Sequence, residues 1–313
     1  MKNAKRTVIG GILNHVYQRT KDGVLLFYNV SDYLVFFTII CTVASKHGVR
    51  ILALSLMPDH IHISIISRNS KDLSNFVADY SRRFSRVHNQ TCHTEGPLFE
   101  SPFGSVPVIG DKKARTNLCY VGNNGVERRL CKKAEEYRWS FLAYAVSDHP
   151  FSQKLISREA SAALRKGIKE IDAEHAAGKP LSYKQIKRLF SKLEKDEKLQ
   201  LTDYIIATYN CIDYDAAIRY FDGYQNMLTA MHSNTGSEHD LNEVFIGKSD
   251  AYYAKMSSWI IKELEPEDIH DILAFPAEQK LELFSRLLRA TSAPPEQVAK
   301  YLRIRLRQEG RNS

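Results

Sequence analysis

The chain has 313 residues, 44 Lys and Arg against 36 Asp and Glu, and a hydrophobic content of 43%, enough to bury a sizeable core and to fill about two domains. With 15 Gly, 10 Pro and 5 Cys it is neither a disordered chain, a collagen-like repeat nor a disulfide-rich secreted scaffold. The net charge of +8 sits wholly in the first half: residues 1–150 hold 20 Lys/Arg against 12 Asp/Glu, whereas 151–313 hold 24 of each, a balance that suits a polyanionic partner for the first half.

In chain order, Val8 to Arg19 reads as a strand, Lys21 to Gly23 as a turn, and Val24 to Tyr28 as a second short apolar run. Ser31 and Asp32 can cap a helix from Tyr33 to Lys46 that closes at His47 and Gly48. Arg50 to Met57 and His60 to Ile66 are two strands separated by Pro58 and Asp59. In the second, Ile61, Ile63 and Ile65 share one face, while His60, His62 and Ser64 share the other. From Ser70 to Val87 the residues Leu73, Phe76, Val77, Tyr80, Phe84 and Val87 recur at helical spacing, with Arg82, Arg83 and Arg86 off that stripe. A strand pair, Pro97 to Phe103 and Ser105 to Ile109, follows, and Asp111 starts a helix through Tyr120. The order β-α-β-β-α-β-α is that of an α+β, ferredoxin-like split βαβ unit, an antiparallel sheet with its helices on one face.

Beyond Trp139 the pattern is helical: Ser157 to Ala177, Ser182 to Lys198, Leu201 to Ala207, Tyr214 to Met231 and Ser249 to Glu263, with a polar loop at His232 to Asp240. Leu281 to Arg289 and Pro294 to Leu306 form a terminal helix pair. The expected division is a catalytic domain at 1–148 and an all-α C-terminal domain at 149–313, with a helix-turn-helix-like element at 278–307. That pair is expected to serve packing ahead of DNA gripping, since only Arg307 to Ser313 remains for a further recognition helix.

The five cysteines are scattered and never spaced as CxxC, which fits a reducing, cytoplasmic setting. No signal peptide is expected at the N-terminus. Tyr33 to Ala44 is the most apolar stretch but falls short of the about 20 residues a bilayer span needs, so no membrane partner is expected.

Two features carry chemistry. His60 and His62, at i and i+2 on a strand, point the same way and can share one metal ion; taken alone, such a pair is more often a surface hydrogen-bonding pair. Tyr120 and Asn124, in Cys119 to Val126 (CYVGNNGV), fall on one face if the helix continues that far, although Gly122, Asn123 and Gly125 are poor helix formers. Taken alone, Tyr120 is one of sixteen tyrosines and reads as core. Walker-type and Rossmann glycine-rich fingerprints do not occur in the sequence.

Together, and with Asn14 to Arg19 (NHVYQR), Leu56 to His62 (LMPDHIH), Gly96 to Phe99 (GPLF) and Tyr137 to Ser140 (YRWS) in the same order, these residues make the chain resemble the REP-associated tyrosine transposases, HUH single-tyrosine transposases of the insertion-sequence 200-like type. The resemblance spans most of residues 1–145. It implies a ferredoxin-like fold and metal-dependent cleavage and strand transfer of single-stranded or hairpin DNA through a covalent 5′-phosphotyrosine. It also implies Tyr120 as nucleophile, His60, His62 and Asn124 as ligands of Mg²⁺ or Mn²⁺, and a homodimer as one assembly open to the chain. Arg82, Arg83 and Arg86, with Lys112, Lys113 and Arg115, are candidates for DNA phosphate contacts; a solvated helix face is the competing reading for each.

Gly125 stands where the family commonly has proline, which with Gly122 leaves the placing of Tyr120 open. Two other functions compete: a domesticated repeat-hairpin binder without turnover, which would need neither the histidines nor the tyrosine, and a structural zinc protein using His60, His62, Cys92 and His93, which lacks regular ligand spacing.

Overall fold

The computed structural model describes residues 7–233 and 249–305. Four strands, β1 (Leu13–Arg19), β2 (Arg50–Met57), β3 (His60–Ile66) and β4 (Gly104–Pro107), form one sheet in the order β2-β3-β1-β4, all neighbours antiparallel. This is the split βαβ order read from the sequence. Helix α1 (Val30–His47) joins β1 to β2, and α2 (Ser70–Cys92) joins β3 to β4. Both pack on one sheet face, where Val16, Leu54, Ile61, Ile63 and Ile65 meet Phe36, Ile40, Phe76 and Tyr80 in one core. A third helix, α3 (Asp111–Glu127), covers the other face with Leu13, Leu52, Ala53, Leu118 and Val121. A bulge between Ile51 and Ala53 turns both Leu52 and Ala53 toward α3, an extra residue re-aiming the strand.

Local chemistry explains the helix boundaries. Helix α1 starts at Asn29, not at Ser31: the Asn29 side chain accepts from the Asp32 backbone N–H, and Asp32 returns the bond as the fourth residue of a capping box. Gly48, at φ 61°, closes it in the left-handed region, as the sequence indicated. Helix α2 runs five residues past Val87, to Cys92, and α3 runs past Tyr120 to Glu127.

One predicted strand is absent from the described residues. Pro97 to Phe103 makes a single bridge, Thr20 with Phe99; Pro97 and Pro102 cannot donate to a ladder. Val24 to Tyr28 is also irregular, and Leu25 to Tyr28 are buried without strand pairing.

The C-terminal half is helical as expected: α4 (Ala162–Ala176), α5 (Tyr183–Phe190), α6 (Lys195–Tyr209), α7 (Tyr214–Arg219), α8 (Tyr224–Ser233), α9 (Ala251–Leu264), α10 (Ala277–Thr291) and α11 (Pro295–Leu302). The single helix expected from Tyr214 breaks at Asp222 and Gly223, both at positive φ, and the one expected over Ser182 to Lys198 ends at Phe190, its last residues joining Leu201 to Ala207 in α6. Residues 234–240 of the expected loop and 307–313 lie outside the described residues. Helices α4 to α6 extend the core under α1 through Leu164, Ile186 and Ile205. Met227 and Met231 of α8 pack against α3. Helices α9 to α11 enclose Leu25, Tyr28 and Cys92. The eight-residue α11 buries Val298, Ala299, Tyr301 and Leu302, the behaviour of a packing element.

Among the described residues, no helix is long and apolar enough to cross a membrane.

Candidate active site

Alternation along β3 sends His60, His62 and Ser64 toward α3, on the face opposite the isoleucines. Register places Arg19, Tyr17 and His15 of β1 directly beside them. From the helix side, Tyr120 enters the same cluster: its ring lies 5.3 Å from that of His62 and 5.6 Å from that of His15, centroid to centroid. The two β3 imidazoles stand 4.9 Å apart and nearly perpendicular. His60, His62 and Tyr120 are 4%, 0% and 5% exposed, so the whole cluster is buried.

Asn124 lies one turn beyond Tyr120 on α3, and its amide nitrogen donates to the Tyr120 carbonyl at 2.9 Å, leaving Oδ1 as an acceptor. The continuation of α3 that this requires rests on the two glycines. A Cβ at Gly122 would fall 2.7 Å from Met231 Sδ, and one at Gly125 would fall 2.8 Å from the Tyr137 ring. Both positions are close approaches of the helix to its neighbours, which offset the cost of glycine in a helix.

Each imidazole is held from behind. His60 Nδ1 faces Asp59 Oδ1 at 2.5 Å, and the other Asp59 oxygen is paired with Lys300 of α11. Burial opposes ionisation of Asp59, but His60 and then Lys300 outweigh it and hold the carboxyl well below its ordinary range. His62 Nδ1 meets His15 Nε2 at 3.1 Å. His15 Nδ1 meets Asn117 Nδ2 at 2.5 Å, and Asn117 Oδ1 accepts from the Ser64 hydroxyl at 2.7 Å. Burial, followed by His60, His15, Arg128 and Arg19, pushes the His62 imidazole well below its usual range and keeps it neutral. Asp250, at the start of α9, is buried; desolvation and then Asp59 raise its carboxyl to about 6, against the pull of Arg128 at 3.9 Å.

The donor set fits a divalent cation on one count. His60 Nε2 is buried and, among the described residues, has no hydrogen-bond partner, while its Nδ1 is bound to a carboxylate, the arrangement that presents an imidazole lone pair to a metal. Among the described residues, no group of three or more His, Cys, Asp or Glu side chains could hold a metal, so a third protein ligand here would be of another type, such as the Asn124 amide. The alternative zinc set is not assembled: Cys92 packs on the α9 to α11 side with its sulfur 3.5 Å from His88, and His93 is an exposed cap of α2.

The basic candidates divide between two layers. Lys112, Lys113 and Arg115 are exposed on the first turns of α3, the helix of Tyr120, with Arg115 donating to the Tyr220 carbonyl at 3.3 Å. Arg82 and Arg83 sit across the sheet on α2, both bonded to Asp79, and Arg86 is exposed on the same helix. Sequence reasoning left out His15, Asp59, Asn117 and Lys300. Alternation along β1 places His15 on the site face and could have found it; Lys300, 241 residues from Asp59, had no local signal.

The fold and cluster define an α+β protein whose antiparallel sheet presents a His-x-His pair to a helix-borne tyrosine. Residues 13–124, from the first residue of β1 to Asn124, match the family model described as transposase IS200 like. Over that segment the chain is similar to the IS200-like transposases, the family that the motif blocks resemble. A solved structure, "Structure of the REP associates tyrosine transposase bound to a REP hairpin", is similar at 17% identity and a TM-score of 0.40, covering 47% of this chain and 86% of that one. No curated protein matches the chain.

Proposed function

We propose that residues 1–148 form a DNA strand-cleaving and strand-transfer domain in which Tyr120 is the nucleophile and His60, His62 and Asn124 hold Mg²⁺ or Mn²⁺. The observation that carries the reading is the meeting of Tyr120 with His62 at 5.3 Å, one helical turn from Asn124, inside a segment matched to a transposase family. The bound cation would supply positive charge to the non-bridging oxygens of the scissile phosphate. The Tyr120 oxygen, after loss of its proton, bonds to phosphorus as the bond to the 3′ oxygen breaks. That oxygen takes up a proton, leaving a free 3′-hydroxyl and a 5′-phosphotyrosine. Attack by another 3′-hydroxyl reverses the exchange, so cleavage and joining need no nucleotide cofactor. Lys112, Lys113 and Arg115, exposed on the same helix, would hold phosphates, and Arg82, Arg83 and Arg86 on the far layer would serve a strand that wraps the domain. Because the cluster is buried, the substrate strand reaches Tyr120 only when covering side chains move.

That burial favours a second reading, hairpin binding without turnover. One experiment separates the two: the purified chain with end-labelled single-stranded hairpin DNA from the flanks of its gene, with Mg²⁺ or Mn²⁺, resolved on a denaturing protein gel. A metal-dependent covalent adduct that Tyr120→Phe abolishes supports the enzyme. Tight binding with no adduct supports the binder and overturns the nucleophile.

A further inference from the structure

The side chains behind His62 form a relay that crosses three elements. Ser64 of β3 donates to Asn117 Oδ1 at 2.7 Å, Asn117 Nδ2 of α3 faces His15 Nδ1 of β1 at 2.5 Å, and His15 Nε2 faces His62 Nδ1 at 3.1 Å. His15, His62, Ser64 and Asn117 are 1%, 0%, 0% and 2% exposed, so bulk water does not substitute for any member. The proton positions then follow one from another. An amide nitrogen only donates, so His15 Nδ1 accepts and the His15 hydrogen sits on Nε2. That hydrogen is donated to His62 Nδ1, which leaves the His62 hydrogen on Nε2.

In this arrangement His62 does not present a lone pair at Nε2. Turning the Asn117 amide end for end satisfies the same three contacts with every proton reversed. Nδ2 donates to the Ser64 hydroxyl, Oδ1 accepts from His15 Nδ1–H, His15 Nε2 accepts from His62 Nδ1–H, and His62 Nε2 is unprotonated. No atom is gained or lost. Only the second arrangement gives His62 the form a metal-ligating imidazole takes, with its rear nitrogen donating to a neighbour.

We infer that Asn117 and His15 are positioning residues that set the tautomer of His62, and that the orientation of the Asn117 amide decides whether His62 can ligate a divalent cation. The inference rests on the metal reading proposed above. Asn117 also precedes Tyr120 by one turn on α3, so the amide that gates the ligand sits on the helix that carries the nucleophile.

The test uses the full chain labelled with ¹⁵N in its histidines, with long-range ¹H–¹⁵N correlation reporting which ring nitrogen carries hydrogen, and Mn²⁺ affinity read from the electron-spin signal of the free ion. In the metal-free protein His15 and His62 are expected as Nε2–H forms, both changing to Nδ1–H on saturation with Mg²⁺. Asn117→Asp, whose carboxylate only accepts, is expected to show both Nδ1–H forms without metal and to bind Mn²⁺ about tenfold more tightly, the scale of effects behind metal-bound imidazoles. A second background separates relay from charge: with His15→Phe, the Asn117→Asp change is expected to leave Mn²⁺ affinity where it was. An unchanged His62 tautomer in Asn117→Asp overturns the inference. So does an affinity gain that survives His15→Phe, since charge alone would then account for it. Tautomers that respond while neither protein binds Mn²⁺ would overturn the metal reading and the relay's role in ligation, with the coupling of Asn117 to His62 still measured.

Discussion

Gly125 of α3 lies face to face with Tyr137: a Cβ on the glycine would stand 2.8 Å from the ring's Cγ, and the ring is pinned by its hydroxyl, which donates to the Leu56 carbonyl of β2 at 2.6 Å. The tyrosine therefore cannot swing away to admit a methyl group. Gly125→Ala should gain about 1 kcal/mol from helix propensity and lose about 1–3 kcal/mol to overpacking, for a net destabilisation on the order of 1 kcal/mol. The helix must shift to relieve the clash, and Asn124 and Tyr120 shift with it. Adduct yield should fall about tenfold or more, a larger loss than the stability change accounts for. Gly122→Ala is the control: its new methyl meets the end of the flexible Met231 side chain, and stability in urea should stay within about 0.5 kcal/mol of the wild type.

The Lys300 to Asp59 pair ties α11 to the residue behind His60. The two side chains are 26% and 15% exposed, so Lys300→Met leaves a mostly buried carboxylate leaning on His60. The expected cost is roughly 2 kcal/mol in urea denaturation at pH 7. The pH dependence has a definite sign. Asp59 is held below its unfolded value of about 3.9, so its stabilisation is present above that value and is lost as the pH falls through and below it. Losing Lys300 raises the folded value of Asp59 while His60 still holds it down, so the gap to wild type should be full at pH 7 and narrow as the pH falls through that raised value. A Lys300→Met protein as stable as the wild type at pH 7 would show that the pair does not tie α11 to the site.

Strand β3 shows how much of this was legible. Strict alternation over His60 to Ile66 fixed its ends and both of its faces, because one face must be apolar where the other carries histidines. The spacing of Leu73 to Val87 fixed α2 in the same way. Pro97 to Phe103 misled because it is apolar enough for a strand while its prolines cannot pair. The end of α3 was hidden for the opposite reason: GNNG reads as a helix breaker until the close approach of Tyr137 and Met231 supplies a reason for each glycine. The candidate site divides similarly. His60, His62, Tyr120 and Asn124 were visible as spaced motifs; the structure brings the rings of His60, His62 and Tyr120 together, with Asn124 buried one turn beyond Tyr120 on the same helix. Their supports, His15, Asn117 and Lys300, act through tertiary contacts spanning 47 to 241 residues; alternation along β1 marks only the face of His15, and no local pattern encodes its partners or those of Asn117 and Lys300.

A second junction between the halves gives an alkaline prediction. His270, fully buried, meets Asp32 of the α1 capping box through Nε2 at 3.0 Å and Asp268 through Nδ1 at 2.5 Å. Asp32 also accepts from the Tyr183 hydroxyl at 2.7 Å. Burial disfavours the imidazolium, but Asp32 and then Asp268 outweigh it and raise His270 to about 10. A group raised above its unfolded value of about 6.5 stabilises the fold fully below that value and loses the contribution as the pH climbs through its folded value. Wild-type stability should therefore fall by roughly 2–4 kcal/mol between pH 7 and pH 10. His270→Gln, which keeps hydrogen bonding without the charge, should be less stable at pH 7 and nearly flat over the same range. Urea denaturation at pH 7, 8.5 and 10 measures both slopes. Parallel slopes for the two proteins would mean that His270 is not the titrating group, and that the Asp32 junction is held by its hydrogen bonds to Tyr183 and the Tyr28 and Asn29 backbone without the imidazolium.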